Sequence, residues 1–255
     1  FDFNGATLVD EVSGDPAGTH LLFLHGWGGT RESLRGIATL FQHTHCVHLL
    51  DLPGFGEAPV PPDSWGTTEY ADLVQRYLET LTGPVVLVGH SFGGRVSVRL
   101  ASRRLRQVEG VVLLGVPGLP QPSFTWRAVR RWRIRMLRRL LIALMPVIGD
   151  RGVRWHTERY GSKDYQAAGA LRNVLVRTVN EDLTSNAKDI ACPALLVWGT
   201  DDAETPTWLA RRYRELIGAK ARLVLLPHKD HHLYSGTGAH LIGEKMRGWL
   251  REARA

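Results

Sequence analysis

A chain of 255 residues, 44% of them hydrophobic, is long enough to form one large α/β domain with a sizeable core. Its net charge of +7 is local, because residues 127–139 contain seven arginines and no acid, which leaves the rest of the chain neutral. The composition therefore argues against a general basic surface for nucleic acid. No stretch reaches the roughly 18 apolar residues that a membrane-spanning helix needs.

The amino end and the cysteines bear on location and redox state. Residues 1–5 lack the basic and apolar pattern of a secretory signal, which predicts a cytoplasmic location. Cys46 and Cys192 lie in or beside apolar strands. We expect them to be buried small residues rather than a disulfide or a pair of metal ligands.

Apolar runs separated by turn residues predict strands that alternate with helices. Strands are predicted at 7–12, 20–24, 46–50, 85–88, 110–114, 195–198 and 223–226, and helices at 32–41, 70–81, 95–105 and 241–250. Thr205-Pro206 predicts one more helix start, with a hydroxyl cap followed by proline at the first helical position. The alternation predicts a mostly parallel sheet with helices on both faces.

The interval 117–188 contains no convincing strand, and its Arg-, Trp- and Leu-rich middle has helical spacing. We interpret it as a helical cap inserted into a core made of residues 1–116 and 189–255. Apolar residues recur within it at intervals of three or four, at Trp126, Val129, Trp132, Met136, Leu140 and Leu144. This stripe fits a cap helix that covers a pocket with its arginines in solvent. The alternative is that 126–144 makes weak contact with an anionic membrane or attracts an acidic substrate.

The most informative motif is the segment 89–93, Gly-His-Ser-Phe-Gly. It follows a buried apolar strand and precedes residues with helical spacing. Strand, tight turn and helix form the context in which Gly-x-Ser-x-Gly indicates a nucleophile elbow, with Ser91 as the nucleophile. Gly89 and Gly93 lack the Cβ atoms that would collide as strand and helix close on each other. A glycine-rich turn with a chance serine is the alternative.

A serine needs an adjacent base and an orienting acid, because its hydroxyl is a poor nucleophile at neutral pH. Asp201 and Asp202 follow the strand predicted at 195–198. Three histidines lie within residues 228–232, which follow Pro227 and the strand predicted at 223–226. The chain order Ser, Asp, His is the one that this architecture uses. The spacing leaves open which aspartate and which histidine take part.

Four segments together resemble the α/β-hydrolase superfamily of serine hydrolases, of the esterase and lipase type, over nearly the full length. They are His25-Gly26-Trp27, which resembles the oxyanion loop, the Asp-x-Pro-Gly-x-Gly turn at 51–56, the elbow at 89–94 and the acid loop at 198–202. The fold that this resemblance implies is the α/β-hydrolase fold with an inserted helical cap.

The resemblance also implies roles for individual residues. Ser91, Asp202 and His231 would form the catalytic triad, and the backbone N–H groups of Trp27 and Phe92 would form the oxyanion hole. Asp201 and His232 remain alternatives. Two departures from the family pattern are Asp230 where the family has glycine before the histidine, and Ala58 where relatives often have serine; neither removes a catalytic group.

The implied activity is hydrolysis of a small-molecule carboxylic ester with an apolar acyl part, through an acyl-enzyme on Ser91. Alternatives with the same triad are a thioesterase, a lactonase, a carbon–carbon bond hydrolase or an acyltransferase; a ligand-binding receptor without turnover is another. Haloalkane dehalogenases and epoxide hydrolases are disfavoured, since related enzymes of those types have aspartate at the elbow position.

No cofactor or metal is expected. The glycine runs at 26–29 and 89–94 do not match Gly-x-Gly-x-x-Gly, so a dinucleotide is not supported. The scatter of His43, His45 and His48 does not suit a metal site. We expect His25 to hold its loop by hydrogen bonds rather than act as a second base.

Overall fold

The computed structural model of the chain describes residues 1–120, 136–137, 139, 141–143 and 163–253. Most of the segment 126–144, for which membrane contact is an alternative interpretation, lies outside the described residues. Its described members, at 136, 137, 139 and 141–143, are helical.

Seven strands form one sheet in which six strands are parallel. In chain order they are β3 Val9–Gly14, β4 His20–Leu24, β5 Cys46–Asp51, β6 Val85–His90, β7 Val108–Leu114, β8 Ala194–Gly199 and β9 Ala221–Leu226. The order across the sheet is β3-β5-β4-β6-β7-β8-β9, and β3 at the edge runs antiparallel to β5. A separate two-stranded pair is formed by β1 Asp2–Phe3 and β2 Ala6–Thr7. The sheet confirms the predicted fold class.

Helices lie on both faces of this sheet. In the described ranges, the helices with defined bounds are α1 Arg35–Ala38, α2 Thr67–Leu78, α3 Ser91–Ser102, α4 Lys163–Ala167, α5 Arg172–Val179, α6 Thr184–Asp189, α7 Thr207–Ile217 and α8 Gly238–Glu252, not all of which contact the sheet. Short 3₁₀ turns occur at Arg31–Leu34, Gly169–Leu171 and Gly218–Lys220. The predicted helix at 32–41 is thus a 3₁₀ turn followed by one short α-helix. Within the described ranges, no helix combines the length and the apolar character that crossing a membrane would require.

The core has two layers because successive side chains of a strand point to opposite faces. In β4, Leu22 and Leu24 belong to one hydrophobic cluster, which also contains residues of α2, α3 and α7. Leu21 and Phe23 belong to the cluster on the other face, which contains residues of α1 and α8. Both faces of the central strands are buried, which is why these strands appear in the sequence as continuous apolar runs.

The described residues between 117 and 188 contain helices and turns and no strand. Helices α4 and α5 and most of α6 fall in this interval. The division of the chain into a core and a cap of residues 117–188 stays a prediction.

Candidate active site

The elbow places Ser91 at the first position of α3, directly after β6. Its φ of +46° lies in the left-handed region, which side chains with a Cβ rarely adopt. A Cβ on Gly89 would lie 2.6 Å from the carbonyl oxygen of Gly93, and one on Gly93 would lie 2.2 Å from that of Leu24. Strand and helix therefore approach each other at a distance that only glycine permits at both positions.

His231 and Asp202 are joined at the carboxyl ends of β8 and β9, at the same edge of the sheet as Ser91. His231 Nδ1 donates to Asp202 Oδ2 at 2.9 Å, and both side chains are buried. The other carboxylate oxygen, Oδ1, accepts the backbone N–H groups of Glu204 and Thr205 at 2.9 and 2.7 Å. These bonds fix the carboxylate, and donation from Nδ1 leaves Nε2 as the basic nitrogen of His231.

Thr205 has a different role from the one that its sequence context predicts. Its hydroxyl donates to Asp202 Oδ2 at 2.5 Å, and the following helix begins at Thr207 with Pro206 as its N-cap. The predicted hydroxyl cap at Thr205 is therefore wrong, because Pro206 is the N-cap and no side chain caps this helix, although the helix begins within two residues of the predicted start.

The alternative acid and base lie elsewhere. Asp201 is exposed, with its carboxylate 3.9 Å from His228 Nδ1. His232 is exposed as well, and its backbone N–H donates to Asp230 Oδ1 at 3.0 Å. Of the two aspartates and three histidines, only Asp202 and His231 form a buried pair.

Burial and charge act in opposite directions on this pair. Burial disfavours protonation of His231, but the hydrogen bond to Asp202 and the negative charges of Asp202, Glu204 and Asp230 outweigh it and raise the pKa of the imidazole. Burial likewise opposes ionisation of Asp202, yet its hydrogen bonds to His231 and Thr205 lower the pKa of the carboxyl group. Asp202 is thus held ionised beside an imidazole that accepts a proton readily.

Ser91 and His231 line one cavity of about 180 Å³. Among the described residues, Ser91 Oγ makes no hydrogen bond to the imidazole. His231 Nε2 instead lies 3.5 Å from Glu204 Oε2, the carboxylate of a largely exposed side chain that lines the same cavity. Catalytic hydrogen bonds are often long without substrate, so this geometry is compatible with transfer of the Ser91 proton in a complex.

The loop at 25–29 lies against the elbow. A Cβ on Gly26 would lie 3.4 Å from Ser91 Cβ, and the Gly93 N–H donates to the His25 carbonyl at 2.9 Å. Phe92 is the second residue of α3, where a backbone N–H has no acceptor within its own helix. The Trp27 ring packs edge-on against Phe92, with ring centroids 5.5 Å apart.

Two buried histidines hold these loops. His25 donates from Nδ1 to the Gly26 carbonyl at 2.8 Å and accepts the Leu52 N–H on Nε2 at 3.1 Å, as expected of a residue that fixes its loop. His90 donates from Nε2 to the backbone carbonyl of His231 at 3.0 Å. Burial and the nearby His231 lower the pKa of His90 to about 3, so His90 is neutral and positions the loop that carries His231. No sequence signal identified this contact.

A second histidine cluster lies at the opposite edge of the sheet. His20 pairs in register with Cys46 on adjacent strands, and His48 lies two residues further on the same face. Among the described residues, these three have potential ligand atoms within 4.8 Å of one another. His20 Nδ1 and His48 Nε2 are hydrogen-bonded at 2.8 Å, and His48 Nδ1 is 2.8 Å from the Tyr77 hydroxyl. These contacts describe a hydrogen-bonded pair; the expectation of no metal stays a prediction.

The chain is similar to proteins of known sequence and structure. A pimeloyl-[acyl-carrier protein] methyl ester esterase of Nitrosospira multiformis is 28% identical over 253 residues, with 84% of this chain and 88% of that protein covered. A thermophilic esterase from Thermogutta terrifontis matches with a TM-score of 0.70 and 22% identity, covering 98% of this chain and 95% of the other. The enol-lactonase from Burkholderia xenovorans LB400 matches with a TM-score of 0.71 and 21% identity, covering 97% and 98%.

At identities of 22% and 21%, the similarity to these two structures shows a shared fold alone. The sequence model of the alpha/beta hydrolase family matches residues 21–238, which include all of β4 after His20, the elbow, the Asp202 loop and His231. With most of the chain matched and the fold shared, the protein belongs to the alpha/beta hydrolase family.

Proposed function

We propose that this protein hydrolyses carboxylic esters through an acyl-enzyme on Ser91. The observation that carries the proposal is the buried His231–Asp202 pair, whose imidazole lines the same cavity as the strained Ser91. The esterase named among the sequence relatives supports the same class of reaction.

In this mechanism, His231 Nε2 removes the Ser91 hydroxyl proton as Oγ attacks the acyl carbonyl. Asp202 holds the imidazole through Nδ1 and stabilises the imidazolium that forms. The imidazolium then gives its proton to the departing alcohol, and a water molecule, activated by the same nitrogen, hydrolyses the acyl-enzyme.

The negative charge on the carbonyl oxygen needs donors that are already in place. The backbone N–H groups of Trp27 and Phe92 are the proposed pair, since both residues line the cavity beside Ser91. One such donor contributes roughly 3 kcal/mol to the transition state in comparable sites. Because main-chain groups donate, replacing the Trp27 side chain is expected to change cavity shape more than chemistry.

Hydrolysis of p-nitrophenyl butyrate by matched pairs of variants tests the proposal. Ser91→Ala is expected to lower kcat by a factor of about 10⁵ to 10⁶, and Ser102→Ala, further along the same helix, is expected to have little effect. Asp202→Asn is expected to lower kcat about 10⁴-fold, whereas Asp201→Asn leaves it near the wild-type value. His231→Ala and His232→Ala form the third pair, with the loss expected for His231→Ala.

Two outcomes would contradict the proposal. Equal rates for Ser91→Ala and the wild type would exclude Ser91 as the nucleophile, and no turnover of any ester by the wild type would favour a ligand-binding protein on this fold. A fluorophosphonate probe followed by mass spectrometry of the Ser91 peptide checks the covalent step directly.

A further inference from the structure

Arg95 is a charged residue of the cavity that the proposed mechanism does not use. It lies one helical turn after Ser91 on α3 and lines the same cavity as Ser91 and His231. Only 6% of its surface is exposed. A guanidinium with so little contact with water is costly unless an anion or several acceptors compensate it.

The described residues supply little of that compensation. Arg95 donates from one terminal nitrogen (NH1) to the Thr178 carbonyl at 2.9 Å, and no carboxylate among the described residues lies within 4.0 Å of its guanidinium. The carboxylate of Glu181 is already engaged by Arg99 at 3.2 Å and by the Thr67 backbone N–H at 2.9 Å. Burial accordingly lowers the pKa of Arg95 below its usual value.

The other charges of the cavity are placed differently. Asp164 and Glu204 line it too, but both are exposed, so water screens them. Among the described residues that line the cavity, the buried charge is therefore positive. A guanidinium has five N–H donors in a planar arrangement that suits a carboxylate, and among the described residues only one acceptor, the Thr178 carbonyl, is bound.

We propose that Arg95 binds a carboxylate on the acyl part of the substrate, so that the substrate class is a half-ester of a short dicarboxylic acid. This inference rests on the proposed ester hydrolysis at Ser91. It revises the predicted substrate, whose acyl part would end in a negatively charged carboxylate rather than being apolar throughout. A cavity of about 180 Å³ favours a short acyl chain. Glutarate, whose carboxyl carbons lie roughly 5 Å apart when the chain is extended, is the short dicarboxylate chosen as the probe.

The test compares monomethyl glutarate with methyl 5-amino-5-oxopentanoate, its neutral amide isostere, by release of methanol. The wild type is expected to prefer the anionic ester at least about tenfold in kcat/KM, the size of effect that a charge-assisted hydrogen bond gives. Arg95→Gln is expected to abolish the preference, and Arg95→Lys to retain part of it. Arg103→Gln, which removes an arginine from the end of the same helix, is expected to keep the wild-type ratio.

The outcomes separate this inference from the proposed function. Equal rates on the two esters, or a preference for the amide, would overturn the carboxylate site and leave the ester hydrolase intact. If neither these esters nor p-nitrophenyl butyrate is hydrolysed, the proposed function fails. Calorimetric titration with glutarate then tests the carboxylate site separately. Glutarate binding that is weakened by Arg95→Lys would support the site, and the absence of glutarate binding would refute it.

A measurement on the wild type alone covers the case in which the Arg95 variants do not fold. Glutarate is expected to inhibit hydrolysis of p-nitrophenyl butyrate at least about tenfold more strongly than glutaramide, which has the same length and no charge. Equal inhibition by the two compounds would overturn the proposal.

Discussion

Asp202 accepts four hydrogen bonds, from the backbone N–H groups of Glu204 and Thr205, the Thr205 hydroxyl and His231 Nδ1. A carboxylate has about four lone-pair sites, so this one has no acceptor capacity left for a competing donor. The imidazole is thereby held in one tautomer, with its basic nitrogen toward the cavity. Glu204 adds a negative charge 3.5 Å from that nitrogen, close enough to influence its protonation.

Replacing Glu204 by glutamine is expected to extend activity to lower pH. The Glu204 charge helps to raise the pKa of His231, and in the proposed mechanism only the neutral imidazole can take the Ser91 proton. Removing the charge lowers that pKa, so the acid limb of the kcat/KM profile moves down in pH. The profile of ester hydrolysis between pH 4 and 9 checks this.

Glu215→Gln is the matched control, because Glu215 is an exposed acid that pairs with Arg212 on α7. Its acid limb is expected to coincide with that of the wild type. An unchanged limb in Glu204→Gln, or one at higher pH, would show that the Glu204 charge does not act on the base.

At the scale of elements, the contact between β4 and α3 depends on the absence of a side chain at Gly93. The Gly93 N–H donates to the His25 carbonyl at 2.9 Å, and a Cβ at this position would be 2.2 Å from the Leu24 carbonyl oxygen. Backbone atoms of a buried central strand cannot move aside as a flexible side chain can. The close approach of α3 to the end of β4 therefore requires glycine.

Gly93→Ala is expected to lower the free energy of unfolding by about 3 kcal/mol, because an overpacked core must shift its backbone to accept the methyl group. Gly248→Ala is the control, since nothing lies within 4 Å of a Cβ built at this position in α8. There the greater helix propensity of alanine is expected to raise stability by up to about 1 kcal/mol. Urea unfolding followed by circular dichroism measures both, and equal changes in the two variants would contradict the packing argument.

At the scale of the whole molecule, a buried polar cluster ties the segment after β7 to the helices of the sheet. Glu181, which follows α5, accepts the backbone N–H and the hydroxyl of Thr67 at the start of α2. It also pairs with Arg99 on α3 at 3.2 Å, and both charged side chains are more than four-fifths buried. The helices that border the cavity are held in place through these contacts.

Glu181→Gln is expected to destabilise the protein by about 2 kcal/mol, because Arg99 would then be left partly buried without its counter-charge. The exposed pair between Arg76 and Glu79 supplies the control: Glu79→Gln is expected to change stability by less than about 0.5 kcal/mol. Thermal and urea unfolding of both variants are the measurements. A similar small change in both would mean that the Glu181 cluster adds no stability.

The sequence predicts the sheet well and the site only in part, for physical reasons. Buried parallel strands are apolar on both faces, so β4 and β6 stand out as short apolar runs. The elbow is equally local, since strand, turn and helix adjoin. His90 and Arg95 contact partners that are distant in the chain, so local sequence does not reveal their roles. The role of Thr205 depends on a nearby acceptor, the Asp202 carboxylate. For Thr205, the helix starts close to the predicted position, but the hydroxyl bonds the Asp202 carboxylate rather than capping the helix.

The left-handed backbone of Ser91 makes the residue that would be most stable at this position different from the residue that the proposed function needs. Glycine would adopt that conformation without cost, whereas every residue with a Cβ loses on the order of 1 kcal/mol or more there. Under the proposed mechanism, selection for stability alone would therefore favour replacement of this serine by glycine and loss of ester hydrolysis. Retention of the serine would indicate selection for turnover.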